Sequence, residues 1–261
     1  MGLIMQNKNS KYGEIQLVHR MTVIKRIIHW SFFAAIINNI ITGFYIAYPF
    51  LIFGKTPTQA DSLSTGVLNS GETYQAFIMT WMREFHFIGA VIIDVIFFVW
   101  LYLAFFSWKE PLYKSFIPFG DKLEEAWRML KHYFTLKDRP KTGRYQDPLN
   151  AIIFTLFHLL ILLQMLTGFQ MYVASFTGTS AVGAWWPWLL HFSTDWTLVV
   201  FGGLTGVTLV HLFIMWLIII FIAYHVYIEV WRSIMWKEGD ILIPFGGYKY
   251  MRNKSESESD I

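Results

Sequence analysis

Four stretches of the chain stay apolar for twenty residues or more: about Ile27 to Phe53, Glu84 to Phe106, Leu149 to Ala174 and Gly202 to Val230. A helix needs about 20 such residues to cross a hydrocarbon layer about 30 Å thick, and inside lipid it satisfies its own backbone groups. The pattern therefore predicts an all-α integral membrane protein, a single membrane domain over residues 1–261 built as a bundle of four transmembrane helices.

The charges between these stretches orient them. Of the 21 Lys and Arg residues, five precede the first stretch, nine lie between the second and third, and five follow the fourth. The other two connections hold only Lys55 and Arg83. Basic residues collect on the cytoplasmic side, so both termini and the connection 107–148 are expected there, with the other two loops outside. Within the cytoplasmic connection, Asp121 stands as a helix cap with Glu124 three residues on, and Leu123, Trp127, Leu130 and Phe134 recur at helical spacing. This predicts an amphipathic helix on the inner membrane surface. The first outer loop, Gly54 to Thr80, is polar and shows no periodicity. Trp185, Trp186, Trp188, His191 and Trp196 crowd the second, as in an interfacial aromatic belt. The acidic end, 255–261, reads as a disordered tail.

Composition narrows the chemistry. With 55% hydrophobic and 15% charged residues and a mean hydropathy of +0.42, the chain has the balance of a membrane protein, and its basic pI of about 8.9 reflects topology signals rather than nucleic-acid binding. It contains no cysteine, which excludes disulfides, iron–sulfur ligation, thiolate zinc sites and covalent c-type haem attachment. Residues 1–25 lack the short apolar core and small-residue cleavage site of a signal peptide, so the first helix is expected in the mature chain.

Histidines carry the candidate chemistry. His211 and His225 lie fourteen residues apart on the fourth stretch; on a helix that is a rise of about 21 Å and a rotation roughly 40° short of four turns, so both leave one face, one near each edge of the bilayer. Polar side chains at such depth are costly unless paired or functional. His29 opens the first helix on the inner side and His86 opens the second on the outer side. Depth then pairs His29 with His225 and His86 with His211. Two bis-histidine sites stacked across a bilayer are what a transmembrane electron carrier with two non-covalent haem b groups requires, since two imidazoles leave the iron no open position for substrate. Asp94, deep in the second span, reads as a proton relay or a satisfied structural acid. His158 reads as a packing or quinone-side residue, and His19, His132 and His191 as structural. Thr42-Gly43-Phe44 and Thr167-Gly168-Phe169 end the first and third spans alike, where glycine permits close approach of a flat ring or a helix.

Taken together, Arg26-Ile-Ile-His29-Trp30 with Thr42-Gly43, Phe85-His86-Phe87, Phe116-Ile-Pro118, Trp127 through Arg139-Pro140, Leu166-Thr-Gly168-Phe169, Val210-His211 through His225-Val-Tyr227, and Gly246-Gly-Tyr248-Lys249 resemble the b-type cytochrome subunit of membrane-bound nickel–iron hydrogenases, within the bacterial di-haem cytochrome b group. The resemblance implies His29, His86, His211 and His225 as axial ligands, the set reached from depth. It further implies a multi-pass protein of the bacterial inner membrane that is not itself the site of hydrogen chemistry. Periplasmic small and large hydrogenase subunits would oxidise H2, and electrons would cross from the outer haem to the inner one and reduce a quinone, expected to be menaquinone. The quinone is then expected near the His29/His225 end, where Asn150, His158 and Tyr227 offer neutral hydrogen-bonding groups; Asn150 is equally placed to cap the third helix and Tyr227 to anchor at the interface. Three departures stand out: Trp100 and Thr208 occupy positions where the family usually carries basic residues, Gln146-Asp147-Pro148 replaces a common His-Asn-Pro, and the 54–80 loop is longer than usual. Two other readings remain open. One keeps the electron carrier and makes formate dehydrogenase the donor; the other is a haem-free, histidine-containing membrane transporter.

Overall fold

The computed structural model describes residues 15–49, 70–106, 121–136, 148–175, 186–235 and 239–252. The expected tail at 255–261 and most of the first outer loop lie outside them. The elements in order are β1 (Ile15–His19), α1 (Val23–Ala47), α2 (Ser70–Phe106), α3 (Asp121–Thr135), α4 (Pro148–Ser175), α5 (Trp186–Thr194), α6 (Trp196–Phe201), α7 (Leu204–Met235), a 3-10 turn (Asp240–Leu242), α8 (Ile243–Gly246) and β2 (Tyr248–Arg252). Among the described residues four helices are long and apolar enough to cross a membrane: Val23–Ala47, Phe77–Phe106, Pro148–Ala174 and Leu204–Met235. Large apolar side chains such as Ile88, Phe98, Leu159 and Phe213 stay exposed along them; in water such a surface is a liability, and against lipid it is the solvent-facing side.

The helices keep the four predicted spans but not their ends, because hydropathy marks the lipid-facing length while capping and turn chemistry set the helix. α1 begins four residues before the apolar run, with Thr22 accepting from the Lys25 amide at 3.4 Å as N-cap. It stops at Ala47 rather than Phe53, since Tyr48 precedes Pro49 and leaves the helical region. α2 reaches back to Ser70, so the last part of the stretch read as an outer loop is helical. Its 37 residues span about 55 Å, well over the hydrocarbon thickness. α4 opens on Pro148, which suits a first helical position, and Asn150 is therefore inside the helix and not its cap. Gly202 and Gly203 hold left-handed φ of 75° and 94° and turn the chain between α6 and α7, so the fourth span starts after them.

The chain forms two compact units, one up to Ile96 and from Val226 onward, the other Phe97–His225. In the first, β1 and β2 pair antiparallel, Ile15 opposite Arg252 and His19 opposite Tyr248, a two-stranded sheet that the all-α expectation omitted. Arg20 and Met21 amides both donate to the Gly247 carbonyl, and a Cβ on Gly247 (φ 81°) would stand 2.4 Å from the Met21 carbonyl oxygen. α8 is held against the start of α1: Trp30 Nε1 donates to the Pro244 carbonyl at 2.9 Å, Arg26 donates to the Phe245 carbonyl, and the Trp30 and Phe245 rings lie 5.0 Å apart. A 2.7 Å ion pair between Lys249 and buried Asp240 ties the segment internally.

In the second unit α3 packs on α4. Its buried side chains are Ala126, Met129 and His132, whereas Leu123, Trp127 and Phe134 of the predicted apolar stripe are exposed. The stripe and the packed face are different faces of one helix. α5 packs on α4 as well, with Thr194 donating to Gln170 Oε1 at 2.7 Å between two buried side chains.

Candidate functional site

His29 and His86 belong to the first unit, His211 and His225 to the second. Each predicted ligand pair takes one histidine from each unit, so pairing continues to rest on depth along the helices.

α1 meets α2 at Asn38, Asn39 and Thr42. Asn38 Nδ2 donates to the Phe85 carbonyl at 2.7 Å, and Thr42 Oγ1 lies 2.9 Å from His86 Nδ1. Gly89, about one turn past His86, makes the approach possible: a Cβ there would fall 2.0 Å from Asn39 Oδ1 and 2.5 Å from Asn38 Nδ2. The Thr42 side chain is buried, and its hydroxyl donates to the Asn38 carbonyl at 2.7 Å.

α4 presents the same group to α7. Thr167 Oγ1 lies 2.9 Å from His211 Nδ1 and donates to the Leu163 carbonyl at 2.8 Å, while Gln164 Nε2 lies 2.9 Å from His211 Nε2. Each threonine stands 44 residues before its histidine. Each also sits in one local pattern, Asn39-Ile-Ile-Thr42-Gly-Phe44 and Gln164-Met-Leu-Thr167-Gly-Phe169. The repeated Thr-Gly-Phe is legible in the sequence, where its glycine reads as the residue that permits close approach. A Cβ on Gly168 would only come into ordinary contact with His211 Cε1, at 3.5 Å; the threonine is what touches the histidine.

His225 lies in an aromatic wall. Its ring is parallel to Phe221 (5.9 Å, 6°) and edge-on to Phe154 (5.3 Å, 80°), and Phe221 stacks on Phe157 at 4.0 Å. His29 is edge-on to Trp30 at 5.5 Å, between the two side chains that hold α8. Of the quinone candidates, Asn150 is 3% exposed and accepts from the Tyr224 hydroxyl at 3.5 Å. His158 donates from Nδ1 to the Phe154 carbonyl at 2.7 Å and stacks on Trp100 at 3.7 Å. Tyr227, in the first unit, is 63% exposed. Trp100 thus has a ring partner where a basic residue was expected, and Thr208 donates to the Leu204 carbonyl at 3.0 Å with Met171 Sδ 3.4 Å from its hydroxyl. His19 meets Tyr248 across the sheet, His132 is on the buried face of α3, His191 lies 3.0 Å from Asp195, and Asp94 is half-buried in α2.

The model of the prokaryotic cytochrome b561 family matches residues 20–244 of the chain, from the end of β1 through α7 to α8. The chain belongs to that family. Among curated relatives of this b561-family chain, the Rhodobacter capsulatus protein named probable Ni/Fe-hydrogenase B-type cytochrome subunit is 27% identical over 233 residues, covering 87% of this chain and 79% of its own. The protein of that name from Bradyrhizobium diazoefficiens is 25% identical, with 87% and 84% covered. The Escherichia coli K12 protein named probable Ni/Fe-hydrogenase 1 B-type cytochrome subunit is 24% identical over 226 residues, with 86% and 87% covered.

Membership of a cytochrome b family implies haem b, and the donor set fits one. His86 and His211 sit at half-buried positions with a hydroxyl at Nδ1, the arrangement in which a second partner orients a ligand imidazole. At His211 the Gln164 amide uses the same Nε2 lone pair a metal would take, so the two are mutually exclusive, and Gln164 Oε1 is itself buried without a hydrogen bond. Asn38, Asn39, Gln164 and Gly89 were missed from sequence. An amide three residues before each Thr-Gly-Phe was the available signal.

Proposed function

We propose that this chain is the electron-transfer subunit and membrane anchor of a nickel–iron hydrogenase, carrying electrons from H2 oxidised on the periplasmic side to quinone in the bacterial inner membrane. The family and the printed names of the relatives support a haem b protein that works with a hydrogenase. The observation that carries the haem assignment is the Thr–His pair occurring once in each unit, at one separation and in one local pattern. Bound between two imidazoles, haem b supplies one-electron transfer and no open coordination position. In this reading His86 and His211 are the ligands near the outer edge, and His29 and His225 those near the inner edge.

Both termini then face the cytoplasm, and α3 lies on the inner surface with Leu123, Trp127 and Phe134 toward lipid. On the outer side Trp188, Phe192 and Trp196 are exposed, a surface on which the hydrogenase small subunit docks close to the outer ligands. Quinone takes up electrons at the inner edge, where Asn150, His158 and Tyr227 lie toward the cytoplasmic ends of their helices and serve as hydrogen-bonding groups for its carbonyls.

Haem quantitation tests the assignment. The purified chain is expected to carry two low-spin b haems, and His211→Ala to lose the outer one. A variant that retains the full complement overturns it.

A further inference from the structure

We propose that Thr42 and Thr167 are positioning residues that hold His86 and His211 in the Nδ1–H tautomer and so turn each Nε2 lone pair to the outer haem iron. This rests on the bis-histidine reading above.

The argument starts from one proton. A threonine hydroxyl has a single hydrogen to donate, and within a helix it commonly gives it to the carbonyl four residues back. Both threonines do this, Thr42 to Asn38 at 2.7 Å and Thr167 to Leu163 at 2.8 Å. What each hydroxyl then offers the imidazole nitrogen 2.9 Å away is an oxygen lone pair, which only an N–H can use. Neutral imidazole carries one N–H, so Nε2 is left as the acceptor. His211 supplies an independent sign. The Gln164 amide nitrogen, a donor without lone pairs to give, stands 2.9 Å from its Nε2.

Both hydroxyls are buried, so water does not compete for the Nδ1 proton. A bond of this kind fixes the tautomer and ring plane and makes the imidazole a more basic ligand. More basic ligands favour ferric over ferrous iron. Because His86 and His211 are proposed to share one iron, both threonines act on one haem and leave the other unchanged.

The test is a spectroelectrochemical titration of the detergent-purified holoprotein as Thr42→Val, Thr167→Val and the two Thr→Ser variants. Valine keeps the shape and removes the acceptor. The expected result is an upward shift of one midpoint in each valine variant, with the second midpoint unmoved, the low-spin EPR g values of the same haem altered, and serine restoring both. Valine leaves a buried N–H without its acceptor and can unfold the protein, so the parent protein labelled with 15N-histidine provides a second measurement by pulsed EPR. Protonated remote nitrogens assigned as Nδ1 support the proposal; iron bound through Nδ1 overturns it. Unmoved midpoints in the valine variants overturn it as well. Loss of one haem in His86→Ala and His211→Ala alongside unmoved midpoints removes the threonine role alone, whereas an intact haem complement in those alanine variants removes the bis-histidine reading beneath it.

Discussion

Gly89 and Gly168 each lie beside a proposed ligand histidine, and the space around them differs. A methyl on Gly89 meets two amide side chains well inside contact distance, and one of them, Asn38, already donates to the Phe85 carbonyl. Asn38 can swing away only by giving up that bond, and Asn39 only by giving up the 3.1 Å bond its Oδ1 accepts from Asn38. Overpacking and the lost hydrogen bond together are worth about 1–3 kcal/mol. A methyl on Gly168 reaches only ordinary contact with His211. Thermal unfolding of the holoprotein followed by circular dichroism should therefore show Gly89→Ala with a clearly lowered midpoint and Gly168→Ala close to the parent. The reverse order would mean that the α1/α2 approach is not the tight one. Sequence alone offered no way to tell these glycines apart, since membrane helices are rich in glycine and the neighbour that decides the matter is on another helix.

At the scale of elements, the Arg26-Ile-Ile-His29-Trp30 stretch has a second task beyond its histidine. Arg26 and Trp30 lie four residues apart on one face of α1 and donate to successive carbonyls, Phe245 and Pro244, which α8 leaves without helical partners. The clamp holds the segment leading into β2. Trp30→Phe keeps the ring contact with Phe245 and removes the Nε1 donor. One such bond contributes about 1 kcal/mol, or roughly a five-fold change in the population of the opened segment. Limited proteolysis should cut between residues 239 and 252 about that much faster in Trp30→Phe, with the haem spectrum unchanged. Equal cleavage rates would show that the strand pairing holds the segment without the clamp. Here the sequence displayed the motif and the Gly246-Gly-Tyr248-Lys249 stretch separately. Their union is non-local: β1 and β2 are brought together from opposite ends of the chain, with no hairpin turn to announce them.

At the scale of the molecule, the charge distribution predicts the orientation. With nine Lys and Arg residues between the second and third spans, against none from Ser175 to Gly203, the first connection is expected inside and the second outside. Alkaline phosphatase fused after Leu136 should be inactive in cells, and fused after Gly203 it should be active. Activity in the opposite pattern would invert the membrane topology and move the proposed quinone end to the periplasm.

Local and one-dimensional properties were set by the sequence: four apolar runs long enough to span, the charge bias from which their orientation is predicted, and two histidines in register on the fourth, because hydropathy and helical period depend only on order along the chain. The histidine candidates followed from that order too. Tertiary structure decided what those residues touch. It brought a threonine hydroxyl to Nδ1 of His86 and of His211, buried Asn150 against Tyr224, stacked His158 on Trp100, turned the Ala126/Met129/His132 face of α3 inward and left Leu123, Trp127 and Phe134 exposed, and tied the two ends of the chain into a sheet. These contacts depend on which segments face one another across tens of residues, and the uniformly apolar spans carry no stripe to specify that facing; side-chain packing and the pairing of buried polar groups select it.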